Sequence, residues 1–264
     1  SSGDAMPMNE VFTPGRLKEY EDWLLQRRLS WNTISTYMRT LQAVYNRLSP
    51  PGTPEHNPRL FDDVYTKVKS QIKRALTEEQ MGRLMHADLD VLSEELQRVQ
   101  AYFLLMFLFR GMPFIDLAHL RKRDVKDGKI AYRRHKTGKQ ITLRIPREAL
   151  PLLKEFKDKD ETSLYLFPIL NAAPEGDEAL YECYQKALRN FNKMLRVLAK
   201  RLLPGIKISS YTARHTWATL AYHIGMPIGI ICQALGHSSI RVTETYLKPF
   251  ENEKVDKANR KLIS

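Results

Sequence analysis

The 264-residue sequence predicts a mainly α protein with one small antiparallel β-sheet, an α+β fold divided into two domains. Three observations support this prediction. Apolar residues recur at helical spacing through most of the chain. One stretch, KIAYRRHKTGKQITLRIP, alternates with a period of two around a Thr-Gly turn and predicts a β-hairpin. The proline-rich loop SPPGTPEHNP separates a short helical segment from a longer one.

Residues 12–74 are expected to form a small helical domain. Ser30 is a candidate N-cap for its second helix. One face of that helix carries short hydroxyl and arginine side chains, including Thr36 and Arg39, which suit contacts with phosphate groups. An ordinary solvated face remains the alternative. The apolar faces of the first and second helices are predicted to consist of Leu17, Tyr20, Trp23 and Leu24, and of Ile34, Tyr37, Leu41, Val44 and Leu48.

Residues 75–264 are expected to form a larger domain with a C-terminal tail, and residues 1–11 are interpreted as a tag or flexible tail. Thr77 and Gln80 predict a capping box at the first helix of the larger domain. The run LQRVQAYFLLMFLFRGM is apolar nearly all round, which predicts a central buried helix. Further helices separated by loops are expected after the hairpin.

The charge of the chain favours a polyanionic partner. Lys and Arg number 42 against 30 Asp and Glu, giving a formal net charge of +12. Such an excess points first to nucleic acid, although a basic surface kept for solubility is the alternative. The hairpin region, residues 121–147, holds the densest basic cluster.

Two cysteines, Cys183 and Cys232, form neither a zinc-type pair nor a disulfide framework, so an intracellular setting and no metal are expected. The most apolar run is far too short for a membrane span.

The strongest functional signal lies between residues 210 and 247. Arg214 opens a predicted helix, His237 follows a glycine at the end of the next one, and Tyr246 comes nine residues after His237. This ordered set resembles the tyrosine recombinases, or phage integrase family, whose pattern is Arg-His, then Leu-Gly-His, then tyrosine. HKTGK carries Lys136 where the family has its hairpin lysine. The resemblance covers nearly the whole chain from about residue 12.

The resemblance implies a helical core-binding, SAM-like domain followed by a tyrosine-recombinase catalytic domain. It implies that DNA is cut and rejoined through a 3′-phosphotyrosyl intermediate, for integration, excision or inversion on behalf of a bacterial or phage mobile element. The implied partner is double-stranded DNA, bound by a homo-oligomer (a tetramer) in the cytoplasm, on the nucleoid, with accessory DNA-bending proteins as further candidates. No cofactor is expected.

The residue types suit this chemistry. A tyrosine oxygen can attack a phosphodiester and store the bond energy in a covalent link, so Tyr246 is the candidate nucleophile. The planar guanidinium of Arg214 can hold two phosphate oxygens. His237 can donate a hydrogen bond to a nonbridging oxygen, and Lys136 can protonate the leaving 5′ oxygen. Lys139, in the same turn, is a candidate DNA contact.

Two positions depart from the family pattern. Aligning FRGMPFIDLAHL on Gly111 and Asp116 puts Pro113 in the slot of a family arginine, and proline cannot bind phosphate. Arg110 is the candidate substitute, with an ordinary surface arginine as the alternative. Tyr211 stands where the family often has a histidine. Its hydroxyl can still donate to phosphate, unless it is a packed tyrosine at a helix start.

These departures leave two other functions open. The protein can be a DNA-binding accessory factor that does not cut, although Lys136, Arg214, His237 and Tyr246 argue against this reading. It can also be a type IB topoisomerase-like enzyme that relaxes DNA without site preference. The short chain and the small helical first domain favour a recombinase.

Overall fold

The computed structural model describes residues 7–67, 75–88, 91–171, 176–250, 252, 255–256 and 259–260. The described part of the chain is mainly helical with one three-stranded antiparallel sheet, which confirms the predicted fold class. The chain divides into two compact units, Ser1–Ile72 and Lys73–Ser264. Much of the predicted tag and C-terminal tail lies outside the described residues, as does the predicted domain boundary at residue 74.

The first unit contains three helices, with α1 at Met8–Val11, α2 at Pro14–Gln26 and α3 at Trp31–Leu48. The Ser30 hydroxyl accepts a hydrogen bond from the Thr33 amide, which confirms the predicted N-cap of α3. The core of this unit consists of buried apolar side chains from α2, α3 and the segment after them: Leu17, Leu24, Ile34, Met38, Tyr45, Leu60, Phe61 and Val64.

The predicted apolar faces of α2 and α3 are partly wrong. Trp23 is 44% exposed, and Tyr37 and Val44 are each 45% exposed. The buried stripe of α3 is rotated by about one position and includes Met38 and Tyr45 instead. The helical periodicity allowed both assignments, because apolar residues occur on adjacent rows and only the tertiary contacts decide which row is buried.

The second unit is built around α5, whose side chains Phe103, Leu105 and Met106 are fully buried. This confirms the predicted central helix, and α5 packs against α7, α8 and α9. Thr77 and Gln80 form the predicted capping box of α4. The helices of this unit are α4 Glu78–Met85, α5 Glu94–Leu108, α6 Phe114–His119, α7 Ala149–Phe156, α8 Asp177–Leu202, α9 Ser210–His223, α10 Ile228–Leu235 and α11 Ile240–Glu244.

The sheet confirms the predicted hairpin and adds one short strand. Its order is β1, β2, β3, and all neighbours are antiparallel. The β2–β3 turn closes through the Arg134 amide, which donates to the Lys139 carbonyl at 2.9 Å, and through Gly138, whose positive φ of 65° suits glycine. The strands are β1 Val125–Lys126, β2 Lys129–Arg133 and β3 Gln140–Arg144, with Ile130, Tyr132, Ile141 and Leu143 buried.

In the described residues, no helix combines the length and the apolar character that crossing a bilayer requires.

Candidate active site

Arg214 lies in the first turns of α9 and is only 2% exposed. Its Nη1 donates to the Gly111 carbonyl at 2.8 Å, and its Nη2 donates to the Leu235 carbonyl at 2.6 Å. Gly111 has a φ of +68°, and a Cβ atom there would come within 3.0 Å of the Arg214 Cα. The loop after α5 and the end of α10 therefore fix the guanidinium, and the loop can approach it closely because residue 111 is glycine.

His237 follows the C-terminus of α10 at a tight turn. Gly236 adopts the left-handed conformation with a φ of 66°, and the His237 amide donates to the Cys232 carbonyl at 3.0 Å. A Cβ atom on Gly236 would lie 2.8 Å from the Ile141 side chain, so the turn packs directly on β3. This packing directs the His237 ring towards Arg214.

The hydrogen bonds of His237 define its protonation state. Arg214 Nη2 lies 2.9 Å from His237 Nε2, and an arginine can only donate, so Nε2 accepts. Nδ1 lies 3.0 Å from the Thr243 hydroxyl and carries the proton of the neutral ring. Burial, followed by the charge of Arg214, lowers the pKa of His237 to about 3. The ring is therefore neutral at physiological pH.

Tyr246 lies between two imidazole rings. Its ring centroid is 4.7 Å from that of His215, at an interplanar angle of 30°, and 4.7 Å from that of His237, at 33°. The Arg214 Cζ lies 5.5 Å from the same ring centroid. The structure thus brings together Arg214, His237 and Tyr246, the three residues of the strongest functional signal in the sequence.

The segment around Tyr246 is held along one face of α9. His215 Nδ1 and Thr219 Oγ1 both lie 3.4 Å from the Tyr246 carbonyl. The Thr219 hydroxyl also accepts from the Lys248 amide at 3.2 Å, and His223 Nε2 lies 3.2 Å from the Lys248 carbonyl. Histidine, threonine and histidine at four-residue spacing share one helical face, so we name these three residues the α9 clamp.

The other predicted catalytic residues surround this group without a hydrogen bond to it in the described part of the chain. Lys136 and Lys139 are exposed in the β2–β3 turn, and their charges are among the lesser causes that lower the pKa of His237. Tyr211 is 51% exposed in the first turn of α9, and burial followed by the nearby Tyr246 raises its pKa. Arg110 is half-buried with a φ of +59°.

Sequence reasoning missed several residues that support the site. Asp116 was used only to align the loop, yet its Oδ2 accepts from Arg134 Nε at 3.0 Å and its Oδ1 accepts from the His135 amide at 2.8 Å. Both partners of the Asp116–Arg134 ion pair are buried. The four-residue spacing of the α9 clamp was a readable signal. Thr243 orients His237 through a contact between α11 and the turn after α10, and no pattern in the sequence indicated this role.

The predicted DNA contacts of the first unit, Thr36 and Arg39, are exposed on α3. The Thr36 hydroxyl donates to the Asn32 carbonyl at 2.9 Å, and Arg39 Nε donates to the Ser35 carbonyl at 3.4 Å. No group of three or more His, Cys, Asp or Glu side chains that could hold a metal ion occurs among the described residues.

Known proteins resemble the chain in sequence. A tyrosine recombinase of Thermosipho africanus is 23% identical over 226 residues, which cover 85% of this chain and 74% of that protein. The tyrosine recombinase XerA of Pyrococcus furiosus is 27% identical over 246 residues, which cover 90% of this chain and 79% of that protein.

Solved structures resemble the chain in fold. The integrase of the Tn1549 transposon, in complex with transposon right end DNA, matches with a TM-score of 0.65 and 16% identity over 100% of this chain and 89% of that one. A lambda integrase dimer bound to a COC′ core site matches with a TM-score of 0.61 and 15% identity over 92% of this chain and 82% of that one.

The profile of the phage integrase family matches residues 74–253, more than half of the sequence. The chain therefore belongs to the phage integrase family, the tyrosine recombinases.

Proposed function

We propose that this site-specific DNA recombinase cuts duplex DNA with Tyr246 as the nucleophile and rejoins it through a 3′-phosphotyrosyl intermediate. The observation that carries the proposal is the contact of one tyrosine with both a buried arginine and a neutral histidine. The Tyr246 oxygen forms a bond to phosphorus, and the bond from phosphorus to the 5′ oxygen breaks. Because the phosphotyrosyl ester keeps the bond energy, the reverse attack by a 5′ hydroxyl can reseal the strand.

The charged groups of the site suit the developing phosphorane. Arg214, held in place by the Gly111 and Leu235 carbonyls, binds nonbridging oxygens through its guanidinium. Lys136, on the exposed turn, gives its proton to the leaving 5′ oxygen. Tyr211 donates a hydrogen bond from the rim, where its raised pKa keeps the hydroxyl protonated. Arg110 adds positive charge from the loop after α5.

His237 can take the proton that Tyr246 loses. Its Nε2 is an acceptor in the free protein, because Arg214 donates to it. When Arg214 turns to the phosphate, Nε2 becomes available to a proton. Nε2 donates to a nonbridging oxygen once it carries a proton, in the resulting imidazolium or in the other neutral tautomer, and so stabilises the phosphorane as the resemblance implies.

Double-stranded DNA is the partner that the charge and the relatives support. Two structurally similar integrases are bound to DNA, and this chain carries a net charge of +12. We infer that residues 12–74 are the core-binding domain, with Thr36 and Arg39 facing the phosphates, and that residues 75–264 are the catalytic domain, with Lys139 as a further contact. The active form on DNA is a homo-tetramer in the cytoplasm, on the nucleoid, assisted by DNA-bending proteins.

A trapping experiment tests this function without knowledge of the target site. The protein is incubated with a nicked duplex library of random sequence. When cleavage occurs next to a nick, the short cleaved strand diffuses away and religation is blocked. EDTA is present and ATP is left out, so that any cleavage needs neither metal nor ATP. We expect DNA to remain attached to the protein in denaturing gels, and peptide mapping to locate it on Tyr246. Recurrent sequence in the attached DNA identifies a site-specific recombinase, whereas random sequence supports the topoisomerase-like alternative and no attachment supports a binding factor.

A further inference from the structure

A second buried arginine lies beside Arg214 in this structure. Pro113 occupies the slot of a family arginine, so a doubly negative phosphorane lacks one guanidinium in its expected place. Arg134 lies directly after β2, at the start of the hairpin turn, and its side chain is 7% exposed. We propose that Arg134 is a further catalytic residue, whose guanidinium binds the scissile phosphate together with Arg214. This inference rests on the proposed function and adds a residue to it.

The position of Arg134 supports this role. Its Nη1 donates to the Leu235 carbonyl at 2.6 Å, which is the same oxygen that accepts from Arg214 Nη2 at 2.6 Å. The two guanidinium groups therefore meet at one acceptor. A Cβ atom on Gly236 would lie 3.2 Å from the Arg134 Cδ, so Arg134 also packs against the turn that carries His237.

The balance of charge around these arginines favours an anionic ligand. Asp116 pairs with Arg134, and in the described part of the chain no carboxylate pairs with Arg214. The neutral His237 adds no charge. Burial lowers the pKa of Arg214 most, and the nearby positive charge of Arg134 lowers it further. One positive charge is left uncompensated in a buried site, and a phosphate would neutralise it.

The hydrogen bonds of Arg134 leave one nitrogen of its guanidinium available. Asp116 takes Nε and Leu235 takes Nη1. Within the described residues, no protein acceptor is bonded to Nη2. A nonbridging phosphate oxygen can accept there without breaking the ion pair, since Asp116 holds the guanidinium plane in place.

The hairpin joins Arg134 to the proposed leaving-group acid. Lys136 comes two residues later in the same turn, and Asp116 also holds the His135 amide between them. The ion pair with Asp116 therefore positions the start of the turn that presents Lys136. A phosphate bound by Arg134 would lie where β2 ends and this turn begins.

The test compares Arg134→Ala and Arg134→Lys with wild type in single-turnover cleavage of the trapped DNA. Arg83→Ala is the control, because it removes an arginine whose pairing with Glu79 is exposed. We expect Arg134→Ala to slow cleavage by about a hundredfold or more, the loss typical of an electrostatic stabiliser. Arg134→Lys should lose less, and the control should match wild type. Wild-type cleavage with Arg134→Ala would overturn the proposal.

A neutral substrate separates charge stabilisation from a structural role. A methylphosphonate at the cleavage site carries no negative charge, so it does not need the second arginine. The rate ratio of wild type to Arg134→Ala should fall by about tenfold or more on this substrate. Partial unfolding of the variant would slow both substrates equally, so an unchanged ratio would make Arg134 structural and overturn the proposal. Failure of wild type to cleave would instead contradict the proposed function, and this inference with it.

Discussion

Arg214 donates a hydrogen bond from Nη2 to the Nε2 of His237 over 2.9 Å, although both side chains are basic. The contact requires a neutral imidazole, because a protonated ring would place two positive charges in a buried site. Thr243 supports the same state by its contact with Nδ1 at 3.0 Å. The free protein therefore holds His237 neutral, with Nε2 unprotonated and accepting from Arg214.

The first prediction concerns stability in mild acid. The pKa of His237 is about 3 in the folded protein against 6.5 for the unperturbed side chain, so the unfolded state binds more protons between these values. His237 thus contributes stability that is present above about pH 6.5 and is lost as the pH falls towards 3. Between about pH 7 and pH 5 the loss amounts to roughly 2 kcal/mol. Chemical unfolding at both pH values should show a smaller loss of unfolding free energy for His237→Gln than for wild type. An identical loss in the two proteins would contradict the lowered pKa of His237.

The second prediction concerns the α9 clamp. Thr219→Val keeps the shape of a buried side chain and removes the hydroxyl that holds the Tyr246 carbonyl and the Lys248 amide. We expect DNA affinity to stay at the wild-type level and cleavage to slow by about tenfold, because the nucleophile is less well positioned. Single-turnover rates check this prediction. Thr245→Val is the matched control, since the exposed Thr245 hydroxyl donates only to the nearby Val242 carbonyl. Equal rates for wild type and Thr219→Val would show that the clamp has no positioning role.

The third prediction concerns the loop that carries Arg110 and Pro113. Arg110 is only half-buried, so solvent screens part of its charge. We expect Arg110→Ala to slow cleavage by about tenfold, less than Arg134→Ala. Pro113→Arg restores the family residue and should partly rescue both variants. Wild-type cleavage by Arg110→Ala would remove Arg110 from the site, and no rescue by Pro113→Arg would show that the family slot does not face the phosphate.

The fourth prediction concerns salt. A protein with a net charge of +12 that binds DNA phosphates releases counterions on binding. The logarithm of its affinity for duplex DNA should fall linearly and steeply with the logarithm of the salt concentration. Titrations from low to physiological salt measure the slope. A flat affinity would contradict DNA as the partner.

Local signals in the sequence identified much of the fold. The hairpin followed from its alternation around Gly138, and the caps of α3 and α4 followed from Ser30 and Thr77. The rotation of α3 about its axis did not follow, because Met38 and Tyr37 have similar apolar character and only packing buries the former. The burial of Glu21 did not follow either: its ion pair with Lys18 is local, but the Tyr65 amide that also binds its carboxylate is far along the chain.

Part of the candidate site was likewise predicted from the sequence, and part of it was not. Arg214, His237 and Tyr246 were found from their order and spacing, and the structure brings them into contact. Arg134 was hidden in the basic hairpin, where its neighbour Arg133 has the same chemistry and is exposed. What distinguishes Arg134 is its burial, which continues the period-two alternation of Ile130 and Tyr132, and its contact with Asp116, which has no signature in the sequence.

The central claim is that the Tyr246 oxygen attacks DNA, and removal of that single oxygen tests it most directly. Tyr246→Phe loses a hydroxyl and little volume, so folding, stacking on His215 and DNA affinity should be retained. Tyr181→Phe is the matched control, because it removes the same atom from an exposed tyrosine on α8. On nicked DNA, wild type and Tyr181→Phe should both form the covalent protein–DNA species seen in denaturing gels, and Tyr246→Phe should form none. Covalent species at the wild-type level with Tyr246→Phe would contradict the account.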